Sequence, residues 1–297
     1  MLAKQKIKIV SSLKHKKFRY ELGLFVAEGG KNVIDLSRKF SCEMLFATQN
    51  WLENNSNLFS FSEEMSARQK GVQIFEVKTS DELKPVSFLT TPQEVVAVFK
   101  IPADNNSVCH CGLDSQLRNF QPITTFSSAV QIAATTDGLS LALDCVQNTG
   151  NLGTIIRIAD WFGISNVFCS LDTTDIYNPK VVQATMGALA NVNVYYVDLQ
   201  QFIKQAKENE MQIFGTFLNG KNIYQQNLPK NGIIILGNEG NGISTEIANL
   251  ITEKLFIPNF SAKNQTSESL NVAVAAAIVC SEFRRHFDKS FGKVSLI

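Results

Sequence analysis

The sequence predicts an α/β protein in which a parallel-sheet domain follows a small α/β sandwich. Three observations carry this expectation. Strand-like and helix-like stretches alternate from Leu139 onward, the pattern of a parallel sheet covered on both faces. A shorter alternation fills residues 1 to about 100. Between them, 101–138 is rich in Asn, Ser, Thr and Gln with weak periodicity, a long connection for one compact domain. The 297-residue chain therefore divides into 1–100, a linker or insertion at 101–138, and 139–297.

In the first part LFVAEG (24–29), EMLFAT (43–48), VQIFEV (72–77) and EVVAVFK (94–100) read as strands and GKNVIDLSRKF (30–40) as a helix. Ahead of them, Met1 to Tyr20 carries Lys4, Lys6, Lys8, Lys14, Lys16, Lys17 and Arg19 with no acidic residue. Two readings fit this block. It is a face that contacts phosphates, or a solvated amphipathic helix whose apolar positions are Ile7, Val10 and Leu13. Inside the connection, PITTFSSAVQIAA (122–134) is apolar enough to pack against a neighbour.

The second part opens with the strand LSLALDCV (139–146) and the helix NLGTIIRIADWFG (151–163). NVFCSL (166–171) and KVVQATMGAL (180–189) follow as strand and helix, then NVNVYYV (191–197) and LQQFIKQAKENE (199–210). QIFGTFL (212–218), GIIILG (232–237) and KLFIP (254–258) read as strands, STEIANLI (244–251) and SLNVAVAAAIVCSEFRRHF (269–287) as helices.

Composition excludes several classes. Hydrophobic residues at 44% and charged residues at 19% suit an ordinary globular protein, and no apolar run reaches the ~18 residues of a bilayer span. MLAKQKIKIV is basic but lacks a signal peptide's apolar stretch and cleavage site, so a cytoplasmic location is expected. The 6 cysteines are scattered and read as buried small hydrophobes. Cys109-His110-Cys111 has no second Cys/His pair at zinc-finger spacing, so no metal is expected.

Chemistry is expected at three turns that follow strands, since open α/β sheets bind ligands at that edge. In the first, QNTGNLGT (147–154), Asn151 is placed to cap a helix that carries Arg157 in an otherwise apolar setting. Arg157 either pairs with Asp144 or Asp160, or holds a phosphate or developing oxyanion. The second, GNEGNG (237–242), is neither a P-loop nor a dinucleotide fingerprint, and its Glu239 is unusual for plain loop chemistry. The third, Ser269-Leu270-Asn271, opens a long Ala/Val helix with Ser269 as a natural N-cap.

At these turns the sequence resembles the SpoU (TrmH-like) family of RNA ribose 2′-O-methyltransferases. VQNTGNLGTIIRIADWFGI (146–164) is similar to the family's first motif, ILGNEGNGIS (235–244) to its second, and IP with SLNVAVAAAIVCSE (257–282) to its third. YNPKVVQATMGAL (177–189) matches a further segment, with Gln183 where arginine is frequent, and KKFRYELGLFVAEG (16–29) resembles an N-terminal RNA-binding domain. The resemblance implies a trefoil-knotted catalytic fold, a rare exception to the rule against knots. It further implies a homodimer, S-adenosylmethionine as cofactor and RNA as partner, ribosomal more than transfer RNA. By motif position, backbone around Leu218, Gly237, Asn238, Ile257 and Leu270 would hold the cofactor. Asn151, Arg157, Glu239, Ser269 and Asn271 would line the transfer site, and Lys16, Lys17 and Arg19 would touch RNA. The segment 259–268 is longer than the family's usual connection, so it maps onto no known contact. A guanidinium stays protonated in proteins, so Arg157 is read as a clamp on the ribose-phosphate rather than a base. Two other readings are a non-catalytic RNA-binding relative and an enzyme acting on a small nucleotide.

Overall fold

The computed structural model describes residues 4–56, 71–102, 126–135, 138–261 and 269–285. Cys109-His110-Cys111 and most of the connection 101–138 lie outside them.

The N-terminal part consists of α1 (Lys4–Ser12), α2 (Lys16–Leu22), β1 (Leu24–Glu28), α3 (Gly30–Ser37), β2 (Cys42–Thr48), α4 (Gln49–Asn54), β3 (Gln73–Val77) and β4 (Val95–Lys100). Its sheet has the order β1-β4-β2-β3, with only β2 and β3 parallel. The two-residue period of the strands sorts the side chains. Phe25, Ala27, Leu45, Ala47, Ala97 and Phe99 join the main core. Val26, Met44, Phe46, Val96 and Val98 pack on the other face with Val10 and Leu13 from α1 and the turn after it. The amphipathic reading of Met1–Tyr20 is thus realised at Val10 and Leu13, both 0% exposed.

The C-terminal part follows α5 (Phe126–Thr135) and contains β5 (Leu139–Leu143), α6 (Thr149–Trp161), β6 (Asn166–Ser170), α7 (Pro179–Thr185), β7 (Asn193–Val197), α8 (Leu199–Glu208), β8 (Ile213–Phe217), β9 (Lys221–Asn222), β10 (Gly232–Leu236), α9 (Thr245–Ala248), β11 (Glu253–Phe256) and α10 (Val272–Arg285). Its sheet has the order β7-β6-β5-β10-β8-β11-β9, with every pairing parallel. Both faces are covered, as the alternation predicts. Leu141, Leu143, Val167, Ile234 and Leu236 face the main core, while Ala142, Phe168, Ile233 and Ile235 face a second cluster. That cluster includes Ala129, Val130 and Ala133 of α5, so the apolar end of the connection does pack. The helix expected over 180–189 stops at Thr185, because Met186 turns into the left-handed region at φ 52°.

The two parts share one apolar core: the rings of Phe25 and Tyr177 lie 4.7 Å apart. Beside them Arg19, 2% exposed, donates from Nε to Asp175 at 3.0 Å and from Nη1 to the carbonyls of Leu13 and Lys14 at 2.8 and 2.9 Å. Asp175 also accepts from the Tyr20 hydroxyl at 2.8 Å and the Tyr177 amide at 3.1 Å. The expectation that Arg19 touches RNA is therefore corrected. Its guanidinium is desolvated and engaged inside the protein, while Lys16 and Lys17 are exposed. Removing one partner would strand a buried charge, at a cost of about 3–5 kcal/mol. Gln183, where the family frequently has arginine, accepts from Asn32 of the N-terminal part at 3.3 Å.

Candidate active site

Parallel strands place all their C-terminal ends on one edge, and the three turns meet there. Leu218, Gly237 and Ile257 directly follow β8, β10 and β11, which are neighbours in the order β10-β8-β11. The second turn closes on itself: the Asn238 amide donates to Gly242 O at 2.9 Å and the Gly242 amide returns to Asn238 O at 3.0 Å. Gly237 must be glycine, since a Cβ there would lie 2.3 Å from the Gly242 carbonyl carbon. Asn238 pins the turn by donating from Nδ2 to Cys145 O at 2.7 Å and accepting from the Gly240 and Asn241 amides at 2.9 and 3.0 Å. Asp144 holds its far side, accepting from the Ser244 amide at 2.7 Å.

Side chains from all three turns join in one directed series. A carboxylate only accepts, so Asn151 presents Nδ2 to Glu239 Oε1 at 3.0 Å. Its Oδ1 then accepts from Asn271 Nδ2 at 3.0 Å. Asn271 Oδ1 is left to accept from the Ala273 and Val274 amides at 2.9 and 3.3 Å, which caps α10. Glu239 also accepts from the Asn148 amide at 3.1 Å and the Gln147 amide at 3.4 Å. Burial pushes its carboxyl up, but hydrogen bonds from Asn151 and the backbone amides outweigh that and hold it below the usual carboxylate value. Glu239 is thus an anionic anchor for the first turn.

Two capping expectations are corrected here. Asn148, not Asn151, caps α6, accepting from the Gly150 and Asn151 amides at 2.9 and 3.1 Å. Asn271, not Ser269, caps α10. Both helices begin elsewhere than their apolar periodicity suggests, which turns Asn151 inward toward Glu239. Sequence reasoning gave Asn148 and Cys145 no part in the site, and read Asp144 only as a partner for Arg157. Cys145 adopts φ 58° where β5 turns into the first loop. The one available signal was the pair of asparagines flanking Thr149-Gly150, either of which could cap.

Arg157 is exposed on α6, and neither open pairing is realised. Asp160 accepts from Asn191 at 3.0 Å and Asp144 from Ser244, while Arg157 makes no hydrogen bond or ion pair among the described residues. Its helix sits close to α7 because Gly153 leaves no gap: a Cβ there would lie 2.4 Å from the Ala184 Cβ. Leu218 and Leu270 are 69% and 51% exposed beside the turns. Ile257 and Asn238 are half-buried, Gly237 is buried and Ser269 is exposed. Of 259–268, only Asn259, Phe260 and Ser261 are described, with Asn259 accepting from the Ser261 amide at 2.8 Å. A groove of about 370 Å³ near Met211, Phe214 and Thr252 lies at the opposite edge, where β8 begins. Among the described residues there is no cluster of metal-ligating side chains, and no helix is long and apolar enough to cross a membrane.

Residues 138–281 match the SpoU rRNA methylase family, and residues 4–97 match an MRM3-like substrate-binding domain. The chain is similar to the Bacillus subtilis 23S rRNA (guanosine(2553)-2′-O)-methyltransferase RlmP, 31% identical over 196 residues, covering 62% of this chain and 77% of that protein. It is 34% identical to the Neisseria meningitidis 23S rRNA (guanosine-2′-O-)-methyltransferase RlmB over 50% of this chain and 58% of that one. Among solved structures, a TrmH-family protein from Porphyromonas gingivalis is 36% identical with a TM-score of 0.75, covering 96% of this chain and 99% of that chain. An rRNA methyltransferase from Sinorhizobium meliloti, solved with S-adenosylmethionine bound, is 26% identical with a TM-score of 0.74, covering 96% of each. The chain belongs to the SpoU family of S-adenosylmethionine-dependent RNA 2′-O-methyltransferases.

Proposed function

We propose that this chain methylates a ribose 2′-hydroxyl of ribosomal RNA, with residues 4–100 serving to hold the substrate. One observation carries the reading. Asn151, Glu239 and Asn271, which come from three separate turns, are hydrogen-bonded into one series, and Arg157, unpaired among the described residues, stands on the helix that the first turn opens. Ribosomal rather than transfer RNA is favoured because both RlmP and RlmB act on 23S rRNA by name.

The cofactor would sit against the backbone of Leu218, Gly237, Asn238, Ile257 and Leu270. The residues fit such a group: three neighbouring parallel strands end there, the turn at Gly237 leaves no room for a side chain, and the exposed Leu218 and Leu270 offer apolar cover. S-adenosylmethionine supplies an electrophilic methyl whose positive charge disappears on transfer.

The protein's part is positioning and charge control. Arg157 clamps the ribose-phosphate and stabilises the oxygen as its proton leaves toward that phosphate or water. Asn151 and Asn271 orient the nucleotide from a frame that Glu239 keeps rigid, and Ser269 adds a hydroxyl at the same opening. Lys16 and Lys17 bind RNA phosphates.

A homodimer is part of the proposal, and it is supported by Trp161 and Val274, 75% and 49% exposed on the packed helices α6 and α10. The trefoil knot is supported by β10 returning to the middle of the sheet, between β5 and β8. The chain has no helix among its described residues that would place it in a membrane, and we propose that it works in the cytoplasm.

Transfer of labelled methyl to rRNA, with the product mapped, tests the whole reading. Arg157→Lys should lose about a hundredfold in turnover while binding the cofactor normally, because an ammonium cannot reproduce a planar fork. Near-normal turnover would refute the clamp. Failure of folded wild type to bind S-adenosylmethionine at millimolar concentration would favour a non-catalytic RNA-binding protein.

A further inference from the structure

We propose that the exposed face of α2, with the turn before it, is a stacking platform for an unpaired base, so that the chain takes a loop or single-stranded RNA target rather than a continuous duplex. This rests on the RNA reading above.

Arg19 and Tyr20 point from α2 into the core, and the opposite face is left to solvent. There Phe18 is 39% exposed and Leu22, one turn on, is 46% exposed. The His15 ring packs edge-on against Phe18, with centroids 6.3 Å apart and planes at 71°. Lys14, His15, Lys16 and Lys17 are all exposed around these rings. An apolar ring among lysines poorly suits a folded core but suits a nucleotide, whose base stacks while its phosphates meet the cations. An A-form duplex keeps its base faces stacked inside and would offer Phe18 nothing.

The platform is also rigid and well placed. Arg19 grips the Leu13 and Lys14 carbonyls, which fixes the turn that presents His15. Its other partner, Asp175, sits in the loop after β6. That loop is tied to the start of the first catalytic turn: the Thr174 amide donates to Val146 O at 3.0 Å, and the Cys145 amide to Ser170 Oγ at 2.8 Å. The aromatic pair is thus mounted on the sheet edge that carries Asn151 and from which the helix bearing Arg157 starts. Arg19, though buried, becomes a positioning residue for RNA.

The test measures fluorescence anisotropy of the full chain, at fixed ionic strength, with a labelled RNA hairpin and with a blunt duplex of the same stem. Wild type should prefer the hairpin. Phe18→Ala should weaken hairpin binding about tenfold, leave duplex binding, cofactor affinity and melting temperature unchanged, and Phe18→Trp should restore it. Equal affinity of wild type for hairpin and duplex would overturn the proposal. So would wild-type affinity in Phe18→Leu, which keeps apolar cover without a ring. A change in sedimentation mass for Phe18→Ala with hairpin affinity intact would assign the face to a second copy of the chain. If wild type bound neither RNA in a salt-dependent way, the RNA reading itself would fall, an outcome distinct from the other three.

Discussion

Replacing Asn151 by aspartate interrogates the directed series at its middle link. In the wild type, Asn151 donates to Glu239 at 3.0 Å and accepts from Asn271 at 3.0 Å. Asn151→Asp keeps the acceptor but turns the donor into a second carboxylate oxygen. Two unit charges at that separation repel by about 1.4 kcal/mol at the dielectric of water and about 5.5 kcal/mol at an effective value near 20. The site is open to solvent on one side, so about 2 kcal/mol is the working figure, and the lost hydrogen bond adds about 1 kcal/mol. The variant should be destabilised by roughly 3 kcal/mol at neutral pH, against about 1–2 kcal/mol for Asn151→Ala, which only deletes hydrogen bonds. The pH dependence separates the two more sharply. Facing carboxylates hold a proton more tightly in the folded state than in the unfolded chain, so protonation favours folding. The deficit of Asn151→Asp should therefore shrink as pH falls from about 7 to about 5, and that of Asn151→Ala much less. Urea unfolding of the three proteins across that range is the assay. Identical deficits for both variants at every pH would show that Asn151 does not face Glu239, and the site as described would be wrong.

Gly153→Ala should drive α6 and α7 apart, because the new methyl would lie 2.4 Å from the Ala184 Cβ and 2.8 Å from Val181 O. A cost of about 2 kcal/mol is expected, read as a melting temperature lower by about 5 °C. Lys39 donates to Leu189 O, Val192 O and Asn193 Oδ1 across the seam between the two parts, and burial lowers its ammonium from 10.5 to about 8. The folded state therefore binds fewer protons than the unfolded chain in that window. Wild type should gain stability relative to Lys39→Met as pH rises from about 8 to about 10.5, by up to about 3 kcal/mol. A flat difference across the window would show that the amine keeps its water.

Most of the element order was legible in the sequence because the longer strands and helices carry their own periodicity, whereas the short α2, α4 and β9 do not. GIIILG (232–237) is apolar throughout and LSLALDCV (139–146) is apolar apart from Ser140 and Asp144, which suits strands buried on both faces, and the two pair with each other in the sheet. Placement of the three turns on one edge followed from the same alternation. Helix starts were less legible, because periodicity marks a buried stripe and not the residue before it. Asn148 and Asn151 are equally competent caps in isolation, and only the contact with Glu239 decides between them.

Charge deceived for a related reason. Lys16, Lys17 and Arg19 look alike along the chain, and α2 is one short helix carrying all three. Which of them meets solvent depends on where Asp175 lies, 156 positions away. The sequence by itself determined what is local: the α/β class, the parallel sheet, the glycine turns and the family motifs. The tertiary structure alone decided which asparagine faces Glu239, that Arg157 has no partner among the described residues, and that Arg19 is a buried strut rather than a hand for RNA. Hydrogen-bond partners and desolvation are set by residues distant in the chain, and no local pattern encodes them.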